Sequence, residues 1–232
     1  MKATKLDYTN SGVLIIGLLI ISIIAFWQTY YIIFFESPLY VHFHAFTAII
    51  WFILLIAQPY LIKKRRLDLH RTLGNISYPV AGLVIVSIML LAHNRISTAP
   101  ESFFSLRTYV LYLQLSLAFI FAITYGLAIY FRKTKAIHAR LMVATSFTFI
   151  DPVLARFIGM ISPELEVNTQ WMTFGFINVI LLSLSIIDRN NGKAKWVYPG
   201  LLMLYLIIEI PIYFDLTRLG WWQSFSAWFA SI

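Results

Sequence analysis

Cysteine is absent from the chain, which excludes disulfides, thiolate metal sites, iron–sulfur clusters and cysteine nucleophiles together. Charge is scarce as well: 12% of residues are Asp, Glu, Lys or Arg, against about 25% in soluble domains, while 60% are hydrophobic. With a mean hydropathy of +0.78, the composition is that of a membrane-embedded protein. Acids are the rarer sign, 10 against 18 Lys and Arg. The resulting charge of +8 sits in short segments between apolar runs, as membrane topology imposes, so no nucleic-acid partner is expected. Signatures of soluble catalysis are missing too: there is no G-x-S-x-G elbow, no phosphate-cradling G-x-x-x-x-G-K-[ST] loop, no H-E-x-x-H and no dinucleotide fingerprint. The last apolar run holds no lysine, which excludes a retinal Schiff base on it.

What is present is a series of continuously apolar runs: Gly12 to Phe35, Val41 to Ile62, Gly74 to Ala92, Phe104 to Phe131, His138 to Ile161, Trp171 to Ile187 and Val197 to Phe214. Membrane β-strands would alternate apolar and polar residues, whereas GVLIIGLLIISIIAF does not. The expectation is an all-α polytopic bundle of seven transmembrane helices, one domain over residues 1–232. The first run is too long for a signal-peptide core and lacks a small-residue cleavage site, so it reads as a retained span. All but Arg95, Arg107, Arg156 and Arg218 of the Lys and Arg residues fall on one side, which the positive-inside bias makes cytoplasmic. The amino terminus is then inside and the carboxyl terminus outside, with Glu164 and Glu166 in an outer loop, in a bacterial cytoplasmic (inner) membrane. Residues 217–232, with Trp221, Phe225, Trp228 and Ile232 at helical spacing, predict a short interfacial helix on the outer face.

Polar residues within spans are costly and ask for a partner or a wet cavity. At 1.5 Å per residue, Asp151 lies about 20 Å and Glu209 about 18 Å from the cytoplasmic edge, with Asn178 at the same level and Gln114 near the midplane. Pro152 and Pro211 each remove a backbone hydrogen bond beside one of the acids. Tyr198, Tyr205, Glu209 and Tyr213 follow one face of the last span, a stripe suited to a hydrated or ligand-filled pocket. Two readings stand side by side. Asp151, Glu209 and Arg156 form an acid/base site with Gln114, Asn178 and Tyr205 around it, or Arg156 neutralises the acids and the group locks helices together.

Histidines sort into two levels. His42, His44 and His93 lie at outer span ends, where imidazole nitrogens with the nearby carboxylates are donors that Zn or Fe accepts. His70 and His138 lie at cytoplasmic span starts, each followed closely by arginine, where paired imidazoles suit a haem b iron and the arginines its propionates. The alternative roles are hydrogen bonding at the interface for the outer trio and headgroup phosphate for the inner pair.

The run HFHAFTAIIWFILLIAQPYLI, then LHRTLGNISY, then IHARLM with IDPVLAR, resembles a family of bacterial multi-pass membrane proteins carrying histidines at span ends. A fainter similarity is to cytochrome b561-type and ferric-reductase-like membrane proteins, in which histidines at both faces of a bundle ligate two haems. That similarity implies haem ligation by His70 and His138, although the fourth span here holds no histidine. Three functions follow as expectations: an outward-facing polar site for a metal or a small or lipid-like ligand, possible seat of catalysis; a haem-bearing electron-transfer protein; and an accessory subunit of a membrane complex whose aromatic outer surface meets a protein partner.

Overall fold

The computed structural model describes residues 8–162, 169–190 and 192–232. Glu164 and Glu166 lie outside the described residues, as do Lys2 and Lys5. The α-helices are α1 (Ser11–Ala25), α2 (Leu39–Lys63), α3 (Leu67–Ser97), α4 (Phe104–Tyr130), α5 (Lys135–Ala144), α6 (Phe147–Ile161), α7 (Thr169–Asp188), α8 (Val197–Tyr213) and α9 (Gly220–Ser231), with no strand among the described residues. Six helical segments are long and apolar enough to cross a membrane: α2, α3, Glu101–Tyr130, Lys135–Ile161, α7 and Gly192–Tyr213. The protein is therefore an all-α polytopic bundle whose surroundings are a lipid bilayer. Large apolar side chains such as Leu14, Phe46, Val179 and Met203 face outward, an arrangement that lipid tolerates and water does not.

Two of the apolar runs are built differently from a plain reading of hydropathy. The first α-helix ends after 15 residues at Ala25 and passes through a π-helical turn, Trp27–Tyr31, and a 3-10 turn, Phe34–Glu36. The fifth is broken. Helix α5 stops at Ala144, Thr145 and Ser146 form a turn, and α6 restarts at Phe147. The break has a local cause. Thr145 Oγ1 and Ser146 Oγ donate back to the carbonyls of Met142 (2.6 Å) and Val143 (2.7 Å), competing with the helical ladder. Pro152 then leaves the carbonyl of Thr148 without its amide partner. Irregular backbone at membrane depth is tolerated where protein buries it, and here the fully buried Trp51 indole covers the turn, donating to Thr145 Oγ1 at 3.1 Å.

Helix α4 is the hub, packing on α3, α5, α6, α8 and α9. One core joins Ile120 and Ala128 of α4 to Leu141, Phe147, Ile177, Leu181 and Tyr205. A second joins Ile15, Trp51 and Val84 to Phe121 and Tyr125, whose rings lie 5.0 and 5.3 Å from the indole of Trp51. A close crossing brings α1 onto α2, where a Cβ on Gly12 would stand 3.2 Å from the Ile56 carbonyl oxygen. After α8 the chain reverses through Asp215 in the left-handed region (φ 53°), and α9 lies on α3 and α4. There Trp222 and Phe229 are buried against Ala92, Ile96 and Leu111, while Trp221 and Trp228 stay exposed.

Candidate functional site

Asp151 on α6 and Glu209 on α8 line one small cavity together with Tyr205, Phe174, Ile177 and Ser116. Its volume, about 20 Å3, exceeds the roughly 10–15 Å3 that one water needs. The proline-bent helices α6 and α8 bring the two acids to this level from sequence positions 58 residues apart, and α4 and α7 close the walls. Asp151 is 5% exposed and Glu209 1%. Thr173 Oγ1 and Gln170 Nε2, both on α7, donate to Asp151 Oδ1 at 2.5 and 2.7 Å. Asn178 Nδ2 and the Tyr213 hydroxyl donate to Glu209 Oε2 at 2.8 and 3.2 Å. That leaves the second carboxyl oxygen of Glu209, the hydroxyl of Tyr205 and the side-chain carbonyl of Asn178 buried without a hydrogen-bond partner. Buried polar atoms in that state carry a full desolvation cost, and two of the three, on Glu209 and Tyr205, belong to residues lining the water-sized void, which calls for an occupant.

Arg156 does not neutralise either acid by contact. No ion pair to it occurs among the described residues; it donates to the Pro152 carbonyl at 3.1 Å and its cation stands 4.4 Å from the ring centre of Phe26. Gln114 has a buried, unpartnered side-chain carbonyl but is not among the residues lining the cavity.

The outer histidines are placed apart by their hydrogen bonds. His42 Nδ1 meets the Tyr30 hydroxyl at 2.9 Å and its ring packs on Phe34. His44 Nδ1 meets Ser87 Oγ at 3.1 Å, in a chain continued by Thr47. His93 packs edge-on against Phe229, its Nε2 buried and unpartnered. Among the described residues no three His, Asp or Glu side chains gather where they could hold one metal ion. At the other end of the bundle, His138 Nδ1 donates to the Ala128 carbonyl at 2.8 Å, and the backbone carbonyl of His70 accepts from Gln58 Nε2 at 3.2 Å while the His70 Nδ1 is buried without a partner. Neither imidazole borders the cavity at Asp151 or the groove of about 340 Å3 between α1 and α2, so neither described space offers a haem to this pair.

Sequence reasoning missed a buried ion pair. Arg140 Nε and Nη2 make a two-pronged contact with the Asp188 carboxylate, the second at 2.6 Å, and Arg140 Nη1 donates to the Ala136 carbonyl at 2.7 Å. The guanidinium lies 4.7 Å over the Tyr8 ring, whose hydroxyl shares a 2.7 Å hydrogen bond with that of Tyr198. Burial pushes the Tyr8 hydroxyl above its usual pKa, with the Tyr198 bond and Arg140 opposing. The sequence reading sets Arg140 at a span start beside His138, facing a haem propionate or a headgroup phosphate; the only signal to the contrary is an acid, Asp188, at the matching end of the next span. Thr173 and Gln170 were missed as well, being ordinary polar residues near a span end.

No family model matches the sequence, and no curated protein or solved structure is significantly similar to it.

Proposed function

We propose that the protein crosses a bacterial cytoplasmic membrane seven times and that the Asp151–Glu209 cavity is a proton- and water-binding site through which it handles protons. Support for the seventh crossing comes from the ends of the first segment. Asn10 accepts from Lys63 Nζ at 3.1 Å at one end of α2, and Tyr30 meets His42 at the other, so residues 10–30 run antiparallel along almost the whole of α2. The basic turns Lys63–Arg66, Arg132–Lys135 and Arg189–Lys195 then lie on one side, which makes it cytoplasmic and leaves α9 outside, its exposed Trp221 and Trp228 at the lipid headgroups.

The observation that carries the proton reading is the pair of buried carboxyls on one water-sized cavity with no cation in contact among the described residues, one of their oxygens unpartnered. Two like charges at such a place cannot both be kept in a low-dielectric interior, so the pair holds a proton that a bridging water can exchange. Ionisable residues inside membranes mark proton and ion paths by default, and the broken α5–α6 segment supplies the irregular backbone that such paths use. A metal or lipid ligand suits this cavity less well than a proton, because there is room for one water and, among the described residues, no third ligand.

Infrared difference spectroscopy across a pH titration tests the reading. A protonated-carboxyl band that shifts in heavy water and disappears in Glu209→Gln or Asp151→Asn is expected, with proton flux into proteoliposomes reduced at least tenfold. A wild-type spectrum without that band, or flux unaltered in both variants, overturns it.

A further inference from the structure

The groove of about 340 Å3 between α1 and α2 shares no lining residue with the Asp151 cavity. Its floor is low because small residues meet there, Gly12 close against α2 and Ala57 beside it, while Val13 and Ile53 stand exposed at its rim. Along α2 the lining extends from Ile53 to Lys63, about 15 Å at 1.5 Å per residue. That is half of a hydrocarbon core about 30 Å thick, the depth of one leaflet. The Lys63 end of the groove is charged. Lys63 Nζ donates to the Asn10 side-chain oxygen at 3.1 Å, a neutral partner that leaves its charge uncancelled and, among the described residues, its other N–H donors unused. The Lys64 ammonium stands 5.8 Å from the ring centre of Tyr60, which lines the groove near this end. The ion pairs among the described residues are Arg66–Asp68, Arg140–Asp188 and Arg218–Asp215, none of which includes either lysine.

An apolar groove on a lipid-facing surface is filled best by a hydrocarbon chain, which supplies the dispersion contacts that its walls would otherwise forgo. A chain lying from Ile53 to Lys63 brings its headgroup level with the two lysines. Ammonium groups without a countercharge there favour a phosphate whose headgroup adds no positive charge of its own. A second copy of the protein fits less well, because docking the same face about an axis along the membrane normal would set these lysines against each other. We infer that the α1–α2 groove is a binding site for one anionic phospholipid, with an acyl chain between the helices and the phosphate on Lys63 and Lys64. The site stands independently of the proton reading, since lipid binding is measured without any proton flux.

The test uses the purified full chain in detergent, stripped of phospholipid. Native mass spectrometry compares phosphatidylglycerol with phosphatidylcholine carrying identical acyl chains. One retained phosphatidylglycerol is expected, bound at least tenfold more tightly than phosphatidylcholine. Replacing both lysines, Lys63→Gln with Lys64→Gln, should bring the two lipids within about threefold of each other and leave the groove intact. Ala57→Phe fills the floor of the groove with the basic turn untouched, and should weaken both lipids at least fivefold. Should it fold poorly, Val13→Trp crowds the rim from a position that is 69% exposed, with the same effect on binding expected. Wild-type protein that holds the two lipids equally, a double-lysine variant with unchanged preference, or a folded Ala57→Phe or Val13→Trp protein with wild-type affinity overturns the inference. A lipid-free dimer that Ala57→Phe splits would put a second copy in the groove and overturn it as well.

Discussion

Replacing Asp188 by alanine should destabilise the bundle more than any other single change at its end of the bundle. The side chains of Arg140 and Asp188 are 3% and 2% exposed, so the guanidinium has no water to fall back on once its carboxylate is gone. Breaking a buried pair by removing one partner costs about 3–5 kcal/mol, because the remaining charge is left uncompensated. Here the lower end applies. Arg140 keeps its bond to the Ala136 carbonyl and its place over Tyr8, and its long stem can carry the cation toward the nearby interface. A loss of about 3 kcal/mol raises the unfolding equilibrium constant by about two orders of magnitude. Unfolding in mixed micelles with increasing SDS, followed by circular dichroism, measures that shift. The double replacement Arg140→Leu with Asp188→Leu should recover most of it, since apolar groups of similar volume often equal or exceed a buried pair. A single-variant loss under about 1 kcal/mol, the size of an exposed pair, would refute the argument, as would a double variant no more stable than the single one.

Trp222→Ala should release α9 from the bundle: it removes a buried indole and the 3.0 Å bond from its Nε1 to the Thr108 carbonyl, a loss of about 3–5 kcal/mol at that contact. Hydrogen exchange should then accelerate over 217–232 and leave α3 and α4 protected; unchanged exchange would show that α9 is held by other means. The natural absence of cysteine makes topology directly measurable. In intact cells an impermeant maleimide should label Ser37→Cys and leave Asn10→Cys unlabelled until the membrane is opened, and labelling of both from the same side would remove the first crossing.

Much of the bundle was legible because hydropathy is a one-dimensional signal and the bilayer imposes a length on it. The acids were legible for the same reason: counting rise per residue set Asp151, Glu209 and Asn178 at one depth, and the structure puts the two acids on one cavity with Asn178 bonded to Glu209. Depth, however, says nothing of rotation about a helix axis. Arg156 has a depth compatible with both acids and faces Phe26 instead. His42, His44 and His93 share a level, but each is turned to a separate neighbour, Tyr30, Ser87 or Phe229. The turn at Thr145 and Ser146 was invisible because apolar residues continue on both sides of it, so the segment as a whole stays apolar enough to read as one span. Arg140 was misread for the complementary reason: a basic residue close to a basic loop gives the same signal whether it faces water or a carboxylate.

Satisfaction of polar groups differs between the two ends of the bundle, and that difference separates structure from chemistry. Toward the end with the basic turns Arg140 is held by Asp188 and Ala136, Tyr8 by Tyr198 and His138 by Ala128, although Gln58, His70 and Thr124 each retain one unpartnered atom. Around Tyr205 and Glu209 and toward the opposite end the unpartnered atoms are more numerous: Glu209 Oε1, Tyr205 hydroxyl, Gln114 Oε1, Asn178 Oδ1, Arg107 Nε, His93 Nε2 and Ser226 Oγ. A closed set of partners rewards folding, so its removal should register in stability and leave little else to measure. An open set is costly to fold and persists where an exchanging occupant, a proton with its water, completes it. The two ends should therefore separate under mutation: substitutions at Asp188 should lower stability whatever the bath contains, whereas the effects of substitutions at Glu209 should depend on pH.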